Sequence, residues 1–115
     1  MSFQPLDYLR HILDEADYLA RASSGLTCDE YLRDETLQRA FVRSLEVMGE
    51  ASKNLSGEFR LRHAEVDWRA IAGMRDRLIH AYFGVDHELV WDVVETKIPP
   101  LAVEIRRLCE SIEGQ

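Results

Sequence analysis

The stretch DWRAIAGMRDRLIHAYFGVD, Asp67 to Asp86, decides how the rest of the chain is read. Asp67 is placed to cap a helix and Gly84 to end one. Between them Trp68, Ile71, Leu78 and Tyr82 fall on the three-and-four spacing of one helical face. The spacing predicts a helix from Trp68 to about Phe83. Position 75 belongs to the same stripe, and it is an arginine. A guanidinium inside an apolar stripe must be paired, desolvated or opened onto a cleft. Breaks in local pattern are expected where function requires them.

The flanking sequence reads as helix too. Towards the N-terminus, Leu6, Leu9, Leu13, Ala16 and Ala20 give a helix over Pro5–Ser23, which Gly25 stops. Thr27 and Glu30 form a capping box that restarts the chain. A long second helix is expected after it, with Leu37, Phe41, Leu45, Met48 and Leu55 on one stripe. Gly57 and the run FRLRH at 59–63 suggest a break or short irregular turn. Towards the C-terminus, Asp86 caps a short helix through Trp91 and Val94. Pro99 and Pro100 open or kink a last one, striped by Ile98, Leu101, Ile105, Leu108 and Ile112. No repeat is evident, and β-branched alternation is nearly absent. The expectation is an all-α, antiparallel bundle of about five helices, one domain over 1–115, with room to gain core by pairing with a second copy.

Composition narrows the classes. With 46% apolar and 30% charged residues, the chain reads as an ordinary globular protein. The opening MSFQPLDYLRH has no apolar signal region, and no run approaches a membrane span. Cys28 and Cys109 lack CxxC spacing and read as reduced thiols, Cys109 buried, in a cytoplasmic protein. His11, His63 and His87 show no HExxH or Cys/His metal spacing. They are expected at the surface, with neither metal nor cofactor. The net charge of −7 opposes a polyanion partner in general. Residues 57–80, however, hold five arginines against four acids, the only stretch not net acidic.

On a continuous helix Arg75 and Tyr82 lie nearly in line. Asp76 and His80 share a neighbouring face, with Arg69 one heptad before Asp76. His80 is turned about 140° from Arg75 and about 7.5 Å further along the axis. One copy of the helix does not readily bring both groups to one atom by backbone placement alone; long side chains at the rim of a groove could, and so could two copies across a two-fold axis. Arg75 offers a cationic fork for phosphate oxygens, and His80 exchanges a proton near neutral pH. Asp76 could hold the imidazole in one tautomer, and Tyr82 could donate to phosphate or stack on a base. The set suffices for metal-free RNA cleavage by 2′-OH attack. It equally fits a structural role: Arg75 paired with Asp14 or Asp17, His80 stabilised at a helix end, Tyr82 in the core. Arg60, Arg62 and Arg69 fit RNA-backbone binding or a solvated surface equally well. Spacing alone does not choose.

The segment RDRLIHAYFGVD, 75–86, resembles the R-x4-H-x-Y motif of HEPN domains, most closely the HepT-like toxins. The flanks WRAIAGM before it, Asp86 to Trp91 after it and the Pro-Pro pair before a final helix share the likeness, which spans about residues 4–112. The resemblance implies a helical bundle that dimerises, so that the motifs of two subunits line one cleft. It implies metal-independent endoribonuclease activity dependent on Arg75 and His80. It also implies a nucleotidyltransferase antitoxin partner that neutralises the toxin by adenylylating Tyr82. A polar residue, often asparagine, usually follows the arginine in that family; here it is Asp76. The competing reading is a non-catalytic nucleotide-binding module, or docking subunit for the nucleotidyltransferase, with Arg75 as a phosphate clamp. A purely structural dimer is the third.

Overall fold

The computed structural model describes residues 4–80 and 84–114, without the side chains of Ile79 and His80. Helix α1 spans Pro5–Ser23 and opens where the Asp7 carboxylate accepts the Gln4 N–H at 2.7 Å. Gly25 turns the chain at φ +75°. The Thr27–Glu30 box forms in both directions, at 3.1 and 3.0 Å, and starts α2, Cys28–Leu32.

The long second helix expected after that box is two helices. Asp34 Oδ1 accepts the Leu37 N–H at 3.0 Å and starts α3, Glu35–Lys53. A short carboxylate that takes a backbone N–H competes with helix continuation, so the chain restarts there. The break lets Tyr31 turn inward, stacked 4.9 Å from Phe41 and 5.5 Å from Trp91. Leu55 lies beyond the end of α3 yet is buried. The FRLRH segment is not an irregular turn either. Ser56 Oγ accepts the Phe59 N–H at 3.0 Å, and α4 runs Gly57–Arg62 with Phe59 as its buried anchor.

Contacts in α1 give the packing direction. Glu15 meets Ser44 and Tyr18 meets Phe41, so numbers rise along one helix as they fall along α3. The last helix, α8 (Ile98–Glu113), pairs the same way: Arg10 with Glu113 and Asp17 with Arg106, both at 2.8 Å. Helix α1 therefore lies antiparallel to both and buries Leu9, Ile12, Ala16 and Leu19 against them. Of the expected stripe Leu9 and Ala16 are buried, Leu6 and Leu13 are half-buried, and Ala20 faces out.

The helix expected from Trp68 to Phe83 is not continuous. Asp67 does cap it, its Oδ1 accepting the Ala70 N–H at 3.0 Å, but α5 covers only Trp68–Ala72. The chain turns at Gly73, and α6 covers Met74–Leu78. Strands β1 (Ile79–His80) and β2 (Gly84–Val85) follow, antiparallel, with Ile79 opposite Val85 and His80 opposite Gly84. Phe83 lies outside the described residues. The end of α5 abuts α3 at Gly49, where a Cβ would stand 3.1 Å from the Ile71 carbonyl oxygen. Gly84 has φ +81°, which no continuing helix accommodates.

Asp86 Oδ1 accepts the Leu89 N–H at 3.1 Å and starts α7, His87–Asp92. A π-helical turn, Val93–Lys97, leads into α8. Pro99 and Pro100 have no N–H to give the preceding turn, and the Ile98 N–H reaches five residues back to the Val93 carbonyl. The result is an all-α bundle with more and shorter pieces than the expected five. Among the described residues no helix is long and apolar enough to cross a membrane.

Candidate active site at the Arg75 groove

Helix α6 is held by Met74 and Leu78, four residues apart and both buried. Burying these two turns Arg75, Asp76 and Arg77 outward. The apolar stripe of the segment therefore runs Trp68, Ile71, Met74, Leu78. The expected insertion of Arg75 into that stripe is corrected here: positions 74 and 75 both satisfy the three-and-four spacing, and the hydrocarbon takes the inner place. Desolvating a guanidinium costs far more than exposing a thioether.

The Arg75 side chain is 58% exposed, and its Nε stands 3.7 Å from Glu46 Oε2 on α3. That is an ion pair too long for a strong hydrogen bond, made through Nε and not through the terminal fork. Exposed pairs of this kind contribute about 0–1 kcal/mol. Neither Asp14 nor Asp17 is the partner; Asp17 belongs to Arg106. Arg75 lies on an open groove of about 510 Å³ between α6, α3 and α1. Tyr8 and His11 line one side of it, and Arg43, Glu46 and Glu50 the floor. His11, exposed as expected, shares the cleft with Arg75.

A second groove of about 530 Å³ adjoins the first. Arg43 and Glu46 line both, and the new walls are Arg33, Gln38 and Arg39 on one side with Val85 and His87 on the other. The outward face of α3 therefore passes beneath both described ends of the motif segment, the Arg75 end and the end at residues 84–87. His87 is fixed there by Tyr31, whose hydroxyl lies 3.4 Å from His87 Nδ1. Burial pushes the Tyr31 hydroxyl above its ordinary pKa, so Tyr31 stays a neutral partner. A smaller cavity of about 280 Å³ lies on the opposite side of α6, with Arg77 and Lys97 over a floor of Met74, Leu78, Ile98 and Leu101.

The remaining sequence-derived candidates divide. Asp76 is exposed beside Arg75. The His80 backbone lies on β1, not on a helix, so the helical angles between Arg75, Asp76 and His80 do not apply. The His80 side chain and all of Tyr82 lie outside the described residues. Arg60, Arg62 and Arg69 line neither groove. Arg60 Nε reaches its own helix cap at Ser56 O, 3.5 Å away, and Arg62 borders a separate hollow with Phe59 and Ile112. No group of His, Cys, Asp or Glu among the described residues is arranged to hold a metal. The groove residues that sequence reasoning missed are Arg43, Glu46 and His11. Their only sequence signal is polar spacing on α1 and α3, the same as that of a solvated face.

Comparison with known proteins adds to this geometry. Residues 12–108 match the family model described as "Ribonuclease HepT-like". A protein of Caldanaerobacter subterraneus named "Putative RNase TTE0752" is 45% identical over 106 residues, covering 92% of this chain and 95% of its own length. One from Methanocaldococcus jannaschii, "Putative RNase MJ0127", is 41% identical over 94% of the chain and 89% of its own. "Probable ribonuclease HepT" of Thermococcus cleftensis is 40% identical over 89% and 93%. No solved structure matches the chain.

Proposed function

The chain belongs to the HepT-like ribonuclease family, and on that premise we propose that it is a metal-independent endoribonuclease centred on Arg75 and His80. The observation that carries this reading is the position of Arg75: a guanidinium on an open groove, loosely held by Glu46 and half in solvent. A structural arginine would be sealed against its carboxylate. This one has its terminal fork available to phosphate oxygens at little cost, because the pair it gives up is weak.

In the proposed reaction His80, acting as base, takes the proton from a ribose 2′-OH. The 2′-oxygen bonds to the adjacent phosphorus and the bond from phosphorus to the 5′-oxygen breaks. An imidazolium returns a proton to the leaving oxygen, giving a 2′,3′-cyclic phosphate and a 5′-hydroxyl. Arg75 stabilises the charge that builds on the phosphoryl oxygens. Asp76 orients the imidazole. Two copies of the chain pair so that their motif segments face one cleft, in keeping with a 115-residue chain that gains core by association. The protein acts as the toxin of a toxin–antitoxin pair, and a nucleotidyltransferase antitoxin silences it by moving an adenylyl group from ATP to the Tyr82 hydroxyl, releasing pyrophosphate.

Single-turnover cleavage of RNA in EDTA tests the nuclease. Wild type should cut, His80→Ala should be slower by about 10²–10⁴-fold, and Arg75→Ala by about 10²–10³-fold, all with unchanged circular dichroism. An inactive wild type that still forms a stable complex with the nucleotidyltransferase would move the reading to a docking or nucleotide-binding subunit. Intact mass after incubation with ATP and the partner enzyme tests the tyrosine: one adenylyl group is expected, absent from Tyr82→Phe.

A further inference from the structure

We infer that the outward face of α3 is the RNA-backbone track of this protein, with Arg43 as its central phosphate contact. The inference rests on the nuclease reading above and deepens it. Among the described residues Arg43 is the one arginine or lysine that lines both grooves. It stands between the Arg75 guanidinium and the hairpin end of the motif segment. A strand whose scissile phosphate sits at Arg75 must leave the groove along one of its open ends. Towards the C-terminal end of α3 the next charge is Glu50, which repels it. Towards the N-terminal end come Arg43, Arg39 and Arg33, all exposed and all on the second groove.

The pairing state of these groups supports that direction. Among the described residues Arg43 takes part in no ion pair, and Arg33 is drawn only to the Glu30 carboxylate, from beyond ion-pair distance. Arg39 holds only the exposed Glu35, 2.7 Å away within one helix turn, a contact that salt or phosphate displaces readily. Arg39 and Arg43 lie four residues apart, about 6 Å along the axis on one face. Among the described residues two carboxylates line the second groove, Glu35 and Glu46; Glu35 holds Arg39 and Glu46 faces Arg75, so Arg33, Arg39 and Arg43 outnumber them between Arg75 and residues 84–87. These positions also bear on how a chain of net charge −7 admits a polyanion: four of its twelve arginines, Arg33, Arg39, Arg43 and Arg75, line this one face. The ligand chemistry is a single-stranded phosphodiester, held by charge and not by base identity.

The test uses the full chain and a fluorescent single-stranded 2′-O-methyl RNA, which keeps every phosphate but has no 2′-OH to attack. Affinity is measured by anisotropy across a salt series. Each phosphate contact on a single strand contributes about 0.7 to the slope of log K against log salt. Arg43→Gln should lower the slope by about 0.7 and the double variant Arg33→Gln/Arg43→Gln by about 1.4. Arg43→Lys should retain the wild-type slope, and Arg60→Gln/Arg62→Gln should leave it unchanged. A wild-type slope in Arg43→Gln overturns the inference. So does a change of oligomeric state in Arg43→Gln with no change of slope, because the face would then be a protein interface. The outcomes separate from the nuclease test. Binding lost through Arg43 in a protein that never cleaves RNA supports the track while removing the nuclease. Cleavage with an unmoved slope does the reverse.

Discussion

Met74 and Arg75 compete for one place on the inner face of α6, and the competition is decided by desolvation. Met74 is 7% exposed and fills core. Arg75 stands outside, with a loose carboxylate neighbour. The two residues should therefore separate stability from function. Met74→Ala removes a buried side chain and should cost about 2–5 kcal/mol in denaturant unfolding. Arg75→Ala gives up an exposed pair and should cost less than about 1 kcal/mol while slowing cleavage by about 10²–10³-fold. Glu46→Gln should likewise cost less than about 1 kcal/mol and should leave cleavage intact or raise it, since the carboxylate competes with phosphate for the same cation. A larger stability loss for Arg75→Ala than for Met74→Ala would make the arginine structural. The motif letters at 75, 76 and 80 were legible in the chain as written. Which way Arg75 points was not, because spacing admits either neighbour to the stripe.

At the scale of elements, the caps were the readable part. Thr27, Asp67 and Asp86 each start a helix where a short oxygen side chain precedes an apolar run. The Glu30 carboxylate accepts the Thr27 N–H, and this backbone bond, followed by the side-chain bond to Thr27, holds its pKa below the ordinary carboxylate value. A lowered folded value means that the cap's contribution is present above the ordinary carboxylate range and is lost as pH falls through the folded value. Glu30→Gln should flatten the acid limb of the stability–pH curve; an unaltered limb would dismiss the cap as its source. What the chain did not reveal are the breaks. Asp34 divides one expected helix, and the approach of α5 to α3 at Gly49 accompanies the break in another. That approach is a tertiary fact, set by backbone atoms distant in sequence. Gly49→Val should overpack it and cost about 1–3 kcal/mol, with loss of cleavage if the Arg75 groove shifts with α5. A variant as stable as wild type would mean that the contact is slack.

For the whole molecule, the question is whether one chain or two make the centre. The helix angles that suggested a two-fold arrangement do not survive the turn at Gly73 and the strand at His80, so the proposed pairing of two copies stands on the motif's resemblance alone. It is directly testable by mixing. If each centre takes Arg75 from one copy and His80 from the other, Arg75→Ala and His80→Ala variants, individually inactive, restore one intact centre when they pair. Random reassortment would then return about a quarter of wild-type activity. Centres complete within one chain would return none. The bundle itself, three long helices with α1 antiparallel to its two neighbours, was legible from apolar periodicity. The contiguous grooves along α3 were not, because a polar helix face reads the same whether it meets water or RNA.

Metal-independent cleavage through His80 is tested most directly by the rate at which purified wild type and His80→Ala cleave RNA in EDTA. It predicts a 2′,3′-cyclic phosphate product from wild type, undiminished by the chelator, and a loss of about 10²–10⁴-fold in the variant. Equal rates from the two proteins, or cleavage that disappears on chelation and returns with added metal, would contradict it.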